Sequence, residues 1–136
     1  DTLVALMENH RDNLIVIFAG YADDIDRFFS NNQGLKSRVP IELYFDDYSE
    51  TELFSIMKLM LEKKNMRLSE SASDEIRKII GEKSKEEDFG NARGIRNLTD
   101  AVIRQQNMRI ATLMRNGENV SDENLMTIEK EDILDI

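Results

Sequence analysis

The sequence predicts a mostly helical α/β fold, in which two strands of a parallel sheet are followed by an all-helical domain. A continuous, largely β-branched apolar run covers residues 14–19, which is typical of a strand buried on both faces. Apolar residues alternate over 40–45, as in a second strand. After residue 47 the spacing is helical only. We therefore predict two domains, residues 1–47 and 48–136.

Composition is that of an ordinary globular protein, with 40% hydrophobic and 33% charged residues among 136. The net charge of -9 argues against a nucleic-acid binder, which usually has a basic surface. With no Cys, disulfides and thiolate metal sites are excluded. No apolar run is long enough to span a bilayer. We expect no metal site, no nucleic-acid or membrane partner, and a cytoplasmic location.

Helical spacing predicts the remaining elements. Leu3, Leu6 and Met7 share one face of the first helix, and because the chain starts inside it we expect a piece of a longer protein. The predicted helices cover residues 1–10, 23–29, 49 to about 61, 69–83 and 91–115, with a closing strand or short helix at 127–133. Residues 86–88 are expected in a solvated loop.

Helix ends are marked by local chemistry. Ser49 and Glu52 match a capping box, in which each side chain bonds the backbone of the other residue. Asn91 is predicted to cap the long helix, and Asn116-Gly117 to stop it. Asp46-Asp47 marks a turn before the helical part.

Two arginines are the candidate functional residues. Arg38 precedes the second predicted strand, and Arg93 lies in the first turn of the long helix, where a phosphate could also meet free backbone N–H groups. Arg96 lies one turn further on the same face. From spacing alone, solvated surface arginines are the commoner alternative. Arg104, Arg109 and Arg115 are expected to decorate the long helix.

Five stretches, in this order and spacing, resemble the C-terminal half of an AAA+ ATPase module. The resemblance is to the group that contains stage V sporulation protein K and the red-type rubisco activases (CbbX-like), and it covers nearly the whole chain. The stretches are Leu6-Met7-Glu8-Asn9-His10-Arg11-Asp12, Val16-Ile17-Phe18-Ala19-Gly20-Tyr21, Gly34-Leu35-Lys36-Ser37-Arg38-Val39, Phe45-Asp46-Asp47-Tyr48-Ser49 and Phe89-Gly90-Asn91-Ala92-Arg93-Gly94-Ile95-Arg96-Asn97.

The resemblance implies a role for each candidate. Arg38 matches the arginine finger, a catalytic residue that acts on ATP bound by the neighbouring subunit of a ring, hexameric in the full-length protein. Arg93 matches the sensor-2 arginine, and Asn91 and Arg96 beside it are expected to contact the same nucleotide. Tyr21 falls at or beside the sensor-1 position, where many AAA+ proteins have Asn or Thr. The helical part would be the lid of a machine that remodels a protein client.

The Walker A and Walker B motifs, which hold ATP and magnesium, do not occur in these 136 residues. We therefore expect no nucleotide binding and negligible ATP hydrolysis by this chain alone. In the AAA+ sheet that the resemblance implies, another strand lies between these two, and the present sequence does not contain it. We therefore expect the two predicted strands to pair with each other, swap between chains, or associate with another chain. The alternative function is a non-catalytic helical protein-interaction module.

Overall fold

The computed structural model describes residues 2–134 and 136. It is mostly helical with one two-stranded parallel sheet, which confirms the predicted fold class at that level. The described residues form α1 (Thr2–Asn9), α2 (Ala22–Ser30), α3 (Gln33–Lys36), α4 (Glu50–Glu62), β1 (Arg67–Leu68), α5 (Glu70–Lys83), α6 (Ala92–Arg115), α7 (Asp122–Met126), β2 (Thr127–Ile128) and α8 (Glu131–Leu134). They divide into two compact units, residues 1–46 and 47–136.

The first unit is built around three phenylalanines. The ring centroids of Phe18, Phe28 and Phe29 lie 5.5 to 5.6 Å apart, and the pairs that include Phe29 meet edge to face. Phe29 and Leu35 are buried. α1 and α2 confirm two predicted helices, although Asp1 lies outside the described residues and α1 buries no residue. α3 was not predicted.

The two predicted strands of this unit are wrong. Residues 14–19 and 40–45 form no strand and do not pair with each other within the described chain. Ile15 is 88% exposed and Phe45 92%. A strand needs hydrogen-bonded neighbours, and none of the described residues supplies them to these segments. Swapping or association with another chain stays a prediction.

The second unit opens with the predicted capping box. The Glu52 backbone N–H donates to the Ser49 hydroxyl at 3.3 Å, and the Ser49 N–H donates to the Glu52 carboxylate at 2.8 Å. These bonds satisfy backbone donors that have no partner within α4. Ser69 caps α5 in the same way through its hydroxyl. Both predicted helix starts are confirmed.

The core of the second unit lies between α4, α5 and α6 and is closed by the C-terminal segment. The fully or nearly fully buried apolar residues are Leu53, Phe54, Met57, Leu61, Ala72, Ile76, Ile80, Ile95, Leu98, Val102, Ile128 and Ile133. β1 pairs with β2 in parallel, with Arg67 opposite Thr127. Neither β1 nor α7 was predicted, whereas the closing segment forms both a strand, β2, and a short helix, α8.

α6 spans 24 residues and stops where predicted. Gly117 has φ +74, and the backbone N–H groups of Gly117 and Glu118 donate to the carbonyls of Met114 and Leu113. These two hydrogen bonds satisfy carbonyls at the helix end. They require a residue in the left-handed conformation, which favours glycine. Among the described residues, no helix is long and apolar enough to cross a membrane.

Arg109 corrects a prediction, because it does not merely decorate α6. Its Nε and Nη2 donate to the two carboxylate oxygens of Asp132 at 2.8 and 3.0 Å, and Nη2 also donates to the Thr127 carbonyl. Asp132 is 2% exposed. The hydrogen bond with Asp132 raises the pKa of Arg109 against the opposing effect of burial. This pair fastens the C-terminal segment to α6.

Candidate functional site

The turn before α6 and the first residues of that helix carry three of the five candidate residues, Asn91, Arg93 and Arg96. Gly90 and Asn91 both have positive φ, +76 and +52, so the chain reverses sharply into the helix. A Cβ on Gly90 would lie 2.9 Å from Nη2 and 3.1 Å from Nε of Arg93. The Arg93 guanidinium is therefore folded back over a position that only glycine can fill without displacing it.

Arg93 is exposed and lacks a carboxylate partner within 4.0 Å among residues 2–134 and 136. The same is true of Arg96, also exposed, one turn along α6. Within the described residues these two guanidinium groups have no carboxylate partner, and they lie near a helix N-terminus, where the helix dipole is already positive. An anionic ligand fits this chemistry best.

Asn91 does not cap α6 with its side chain, contrary to prediction. Its Nδ2 instead donates to Asp47 Oδ1 at 2.7 Å, and its Oδ1 accepts from the Tyr48 backbone N–H at 2.9 Å. Both polar atoms of the amide are used in these two bonds, and the side chain makes no bond to the first turn of α6. Whether Asn91 also contacts a nucleotide stays a prediction.

Arg38 lies in the first unit, just after α3. Its Nε donates to Glu8 Oε2 at 3.2 Å and its Nη1 donates to the Gly34 carbonyl at 2.8 Å. About a third of the side chain, 35%, is exposed. Arg38 and Glu8 line a cavity of about 230 Å³ together with Met7, Arg11, Leu14 and Val16. Neither bond uses Nη2, so both N–H donors of that nitrogen remain for a ligand.

Tyr21 occupies the N-cap position of α2. Its backbone is extended, its side chain makes no capping bond, and the residue is 79% exposed. Tyr21 and Arg38 belong to residues 1–46, whereas Asn91, Arg93 and Arg96 belong to residues 47–136. Within each unit the candidates lie at the ends of helices, where side chains reach solvent.

Sequence reasoning missed the partners of these residues. Glu8, Asp47 and the Tyr48 backbone were assigned no role at the site, although Asp47 was expected in a turn. Nothing in the local pattern links Asn91 to a residue 44 positions earlier. No group of three or more His, Asp or Glu side chains arranged for a metal ion occurs in the part of the chain that the structure describes.

Comparison with known proteins adds a family match to this geometry. The family model described as AAA lid domain matches residues 49–135, which covers α4 to α8 and includes the turn at Asn91.

Similar proteins match almost the whole chain. A protein named CfxQ homolog from Cyanidium caldarium is 40% identical over 135 residues, 98% of this chain and 46% of the relative. Ribulose bisphosphate carboxylase/oxygenase activase, chloroplastic, from Cyanidioschyzon merolae is 40% identical over 135 residues, 98% of this chain and 45% of that protein. CbbX from Cereibacter sphaeroides is 44% identical over 108 residues, 79% of this chain and 35% of the relative. The chain spans about half the length, or less, of these relatives.

Proposed function

The chain belongs to the AAA lid domain family, and on that premise we propose that it is part of a CbbX-like AAA+ ATPase that remodels a client protein. The full-length protein would act as a homo-oligomeric ring, and the resemblance to AAA+ ATPases implies a hexamer. Rubisco is the first client to assay, because one relative is named as its activase. Kinship with stage V sporulation protein K stays a prediction. A cytoplasmic location also stays a prediction, and the relative from Cyanidioschyzon merolae is named as chloroplastic.

The observation that carries this proposal is the exposed Arg93 guanidinium, which lies over Gly90 and has no carboxylate partner among residues 2–134 and 136. In the role of sensor 2, Arg93 would bind the γ-phosphate of ATP in its own subunit. Arg96 would add a second positive charge on the same helix face. Because Arg93 lies in the first turn of α6, within the helical lid, a phosphate bound there would hold the lid in one position, and loss of that phosphate would release it.

Arg38 would act as the arginine finger for ATP bound by the neighbouring subunit. The bonds to Glu8 and to the Gly34 carbonyl leave both Nη2 donors available. A guanidinium that is already oriented loses less freedom when it meets a phosphate. A finger of this kind contributes roughly 10³–10⁵ in turnover by stabilising charge on the transferred phosphoryl group.

Some residues of this chain offer hydrogen-bond donors that suit the phosphate groups of a nucleotide. In the second unit, Arg93 and Arg96 offer guanidinium donors to phosphate oxygens, and in the first unit the exposed Tyr21 offers a hydroxyl to an ordered water. ATP supplies the phosphoryl group and magnesium neutralises its charge when both are bound to the full-length protein. This chain's own contribution is to sense the phosphate and to orient the guanidinium groups. That the chain alone holds no nucleotide stays a prediction.

The test uses the full-length protein and three variants: Arg38→Ala, Arg93→Ala and, as a matched control on an exposed face of α6, Arg104→Ala. Arg38→Ala should retain nucleotide affinity and lose turnover by about 10³-fold or more. Arg93→Ala should weaken nucleotide binding by about 10-fold to 100-fold, the value of one charged hydrogen bond. Arg104→Ala should change neither.

Mixed assemblies test the action between subunits. Subunits that carry Arg38→Ala should lower the ATP turnover of the wild-type subunits next to them, in proportion to the number of interfaces that the variant subunits occupy. If both arginine variants bind and hydrolyse ATP like Arg104→Ala, the nucleotide roles are wrong. The non-catalytic helical interaction module is the better account if the full-length wild-type protein itself neither binds nor hydrolyses ATP.

A further inference from the structure

Asn91 is held in a backbone conformation that asparagine rarely adopts. Its φ of +52 and ψ of -122 lie in a region populated mainly by glycine. Such a conformation costs about 1–3 kcal/mol and persists only when surrounding contacts fix it. The Asn91 carbonyl accepts from the Ile95 N–H within α6, and the other hydrogen bonds that fix Asn91 are made by its own side chain.

Those contacts are directed at the segment that leads into α4. The Asn91 amide donates to Asp47 and accepts from the Tyr48 N–H, and Tyr48 directly precedes the helix cap of α4. Both polar atoms of the amide are used, so the bridge fixes the orientation of the side chain as well as its distance. These two hydrogen bonds therefore connect the segment before the N-terminus of α4 with the turn before the N-terminus of α6.

The same turn determines where the Arg93 side chain lies. The Arg93 backbone N–H donates to the Gly90 carbonyl at 3.1 Å, and the guanidinium lies over the Gly90 Cα. A rotation of the peptide at Asn91 moves Gly90 directly, because the two residues share that peptide bond. The orientation of the Arg93 guanidinium therefore depends on the bridge that Asn91 makes.

We propose that Asn91 is a positioning residue that couples the Asp47–Tyr48 segment to the phosphate contact of Arg93. This inference rests on the proposed function. A shift of Asp47–Tyr48 would break the bridge and misplace Arg93, and a phosphate bound by Arg93 would in turn hold Asp47–Tyr48 in place. Asn91 is then the point at which lid orientation and nucleotide state are linked.

Two substitutions in the full-length protein separate the bridge from backbone strain. Asn91→Gly retains the positive φ and removes both bonds, whereas Asn91→Asp puts a carboxylate against Asp47 and loses the donor. The exchange Asp47→Asn with Asn91→Asp restores both bonds with one donor reversed. The residue at position 47 then donates, and the new carboxylate at position 91 accepts from it and from the Tyr48 N–H.

The measurement is the dissociation constant of a fluorescent ATP analogue, with the thermal midpoint recorded for each variant. Asn91→Gly and Asn91→Asp should each weaken binding about 5-fold to 10-fold, the value of roughly one hydrogen bond. The exchange should return the constant to within about 3-fold of wild type. In an Arg93→Ala background, Asn91→Gly should have less than about a 2-fold further effect, since the residue it positions is gone.

The outcomes distinguish this inference from the proposed function. If the Asn91 variants lower only the thermal midpoint and leave the dissociation constant unchanged, Asn91 is a structural tie and the inference is overturned. An additive loss in the Arg93→Ala background overturns it as well. If Arg93→Ala itself leaves nucleotide binding unchanged, the proposed sensor role fails first, and this inference fails with it.

Discussion

Substitution of Asp132 by alanine should destabilise the second unit more than any other removal of a single carboxylate. The change leaves the Arg109 guanidinium without its counter-ion and the Glu129 backbone N–H, which donates to Asp132 at 2.8 Å, without an acceptor. Breaking a buried ion pair costs about 3–5 kcal/mol. Because 16% of the Arg109 side chain is exposed, water offsets part of the loss, and we expect about 3 kcal/mol.

Urea unfolding followed by far-ultraviolet circular dichroism measures this loss, since most of the helix lies in residues 47–136. For a slope of about 1.5 kcal/mol per molar, the midpoint should fall by about 2 M. The matched control is Asp100→Asn, which removes one negative charge from an exposed position on α6 and should shift stability by less than about 0.5 kcal/mol. If Asp132→Ala prevents folding, Asp132→Asn gives the milder perturbation.

A paired substitution tests the cause of the loss. Arg109→Met combined with Asp132→Leu removes both charges, so it should be more stable than Asp132→Leu alone, in which the guanidinium stays uncompensated. The reasoning is refuted if Asp132→Ala and Asp132→Asn shift the midpoint no more than Asp100→Asn does.

Two further predictions concern glycines and acidity. Gly94→Ala should lower the free energy of unfolding by about 1–3 kcal/mol, because its Cβ would overlap the Phe89 carbonyl and ring. Gly81→Ala meets only the flexible carboxylate end of Glu50 and should raise the free energy of unfolding by up to about 1 kcal/mol. Equal unfolding midpoints for the two variants would contradict this contrast. Hydrogen bonds from the Ser49 backbone and hydroxyl lower the pKa of Glu52. The stabilisation of the folded chain by the ionised Glu52 carboxylate is therefore complete above the ordinary pKa of 4.5 and is lost as the pH falls through the lowered pKa. Thermal midpoints over roughly pH 3–6 should therefore fall less steeply for Glu52→Gln than for wild type, and parallel curves would exclude this linkage.

Elements specified by neighbouring residues could be predicted from the sequence. The capping box at Ser49 needs only residues three positions apart, and the stop at Gly117 needs only one left-handed residue at the end of a periodic helix. Helical spacing alone places Leu53, Met57 and Leu61 on one face of α4, and all three are buried.

Elements that depend on distant partners could not be predicted. Residues 14–19 have the composition of a buried strand, but composition does not supply the neighbouring strands that make one. β1 and β2 are two residues each, too short for any periodic signal. The Arg109–Asp132 pair and the Asn91 bridge join residues 23 and 44 positions apart.

At the candidate site the sequence identified the arginines and missed what holds them. Arg38 and Arg93 were selected by their motifs, and the structure places both where their guanidinium groups reach solvent. Glu8 and Asp47 carry no motif of their own that assigns them a supporting role. Such supporting contacts are set by the folded chain and not by local pattern.

The pairing of β1 with β2 has a consequence for synthesis on the ribosome. Ile128 and Ile133 are fully buried in the core that α4, α5 and α6 form, and Ser69 donates its N–H to the Ile128 carbonyl. A nascent chain that has only reached α6 therefore presents an open apolar surface where these two side chains belong. The helical unit can close only after Ile133 has left the ribosome, so until then its earlier helices expose apolar surface to which chaperones bind.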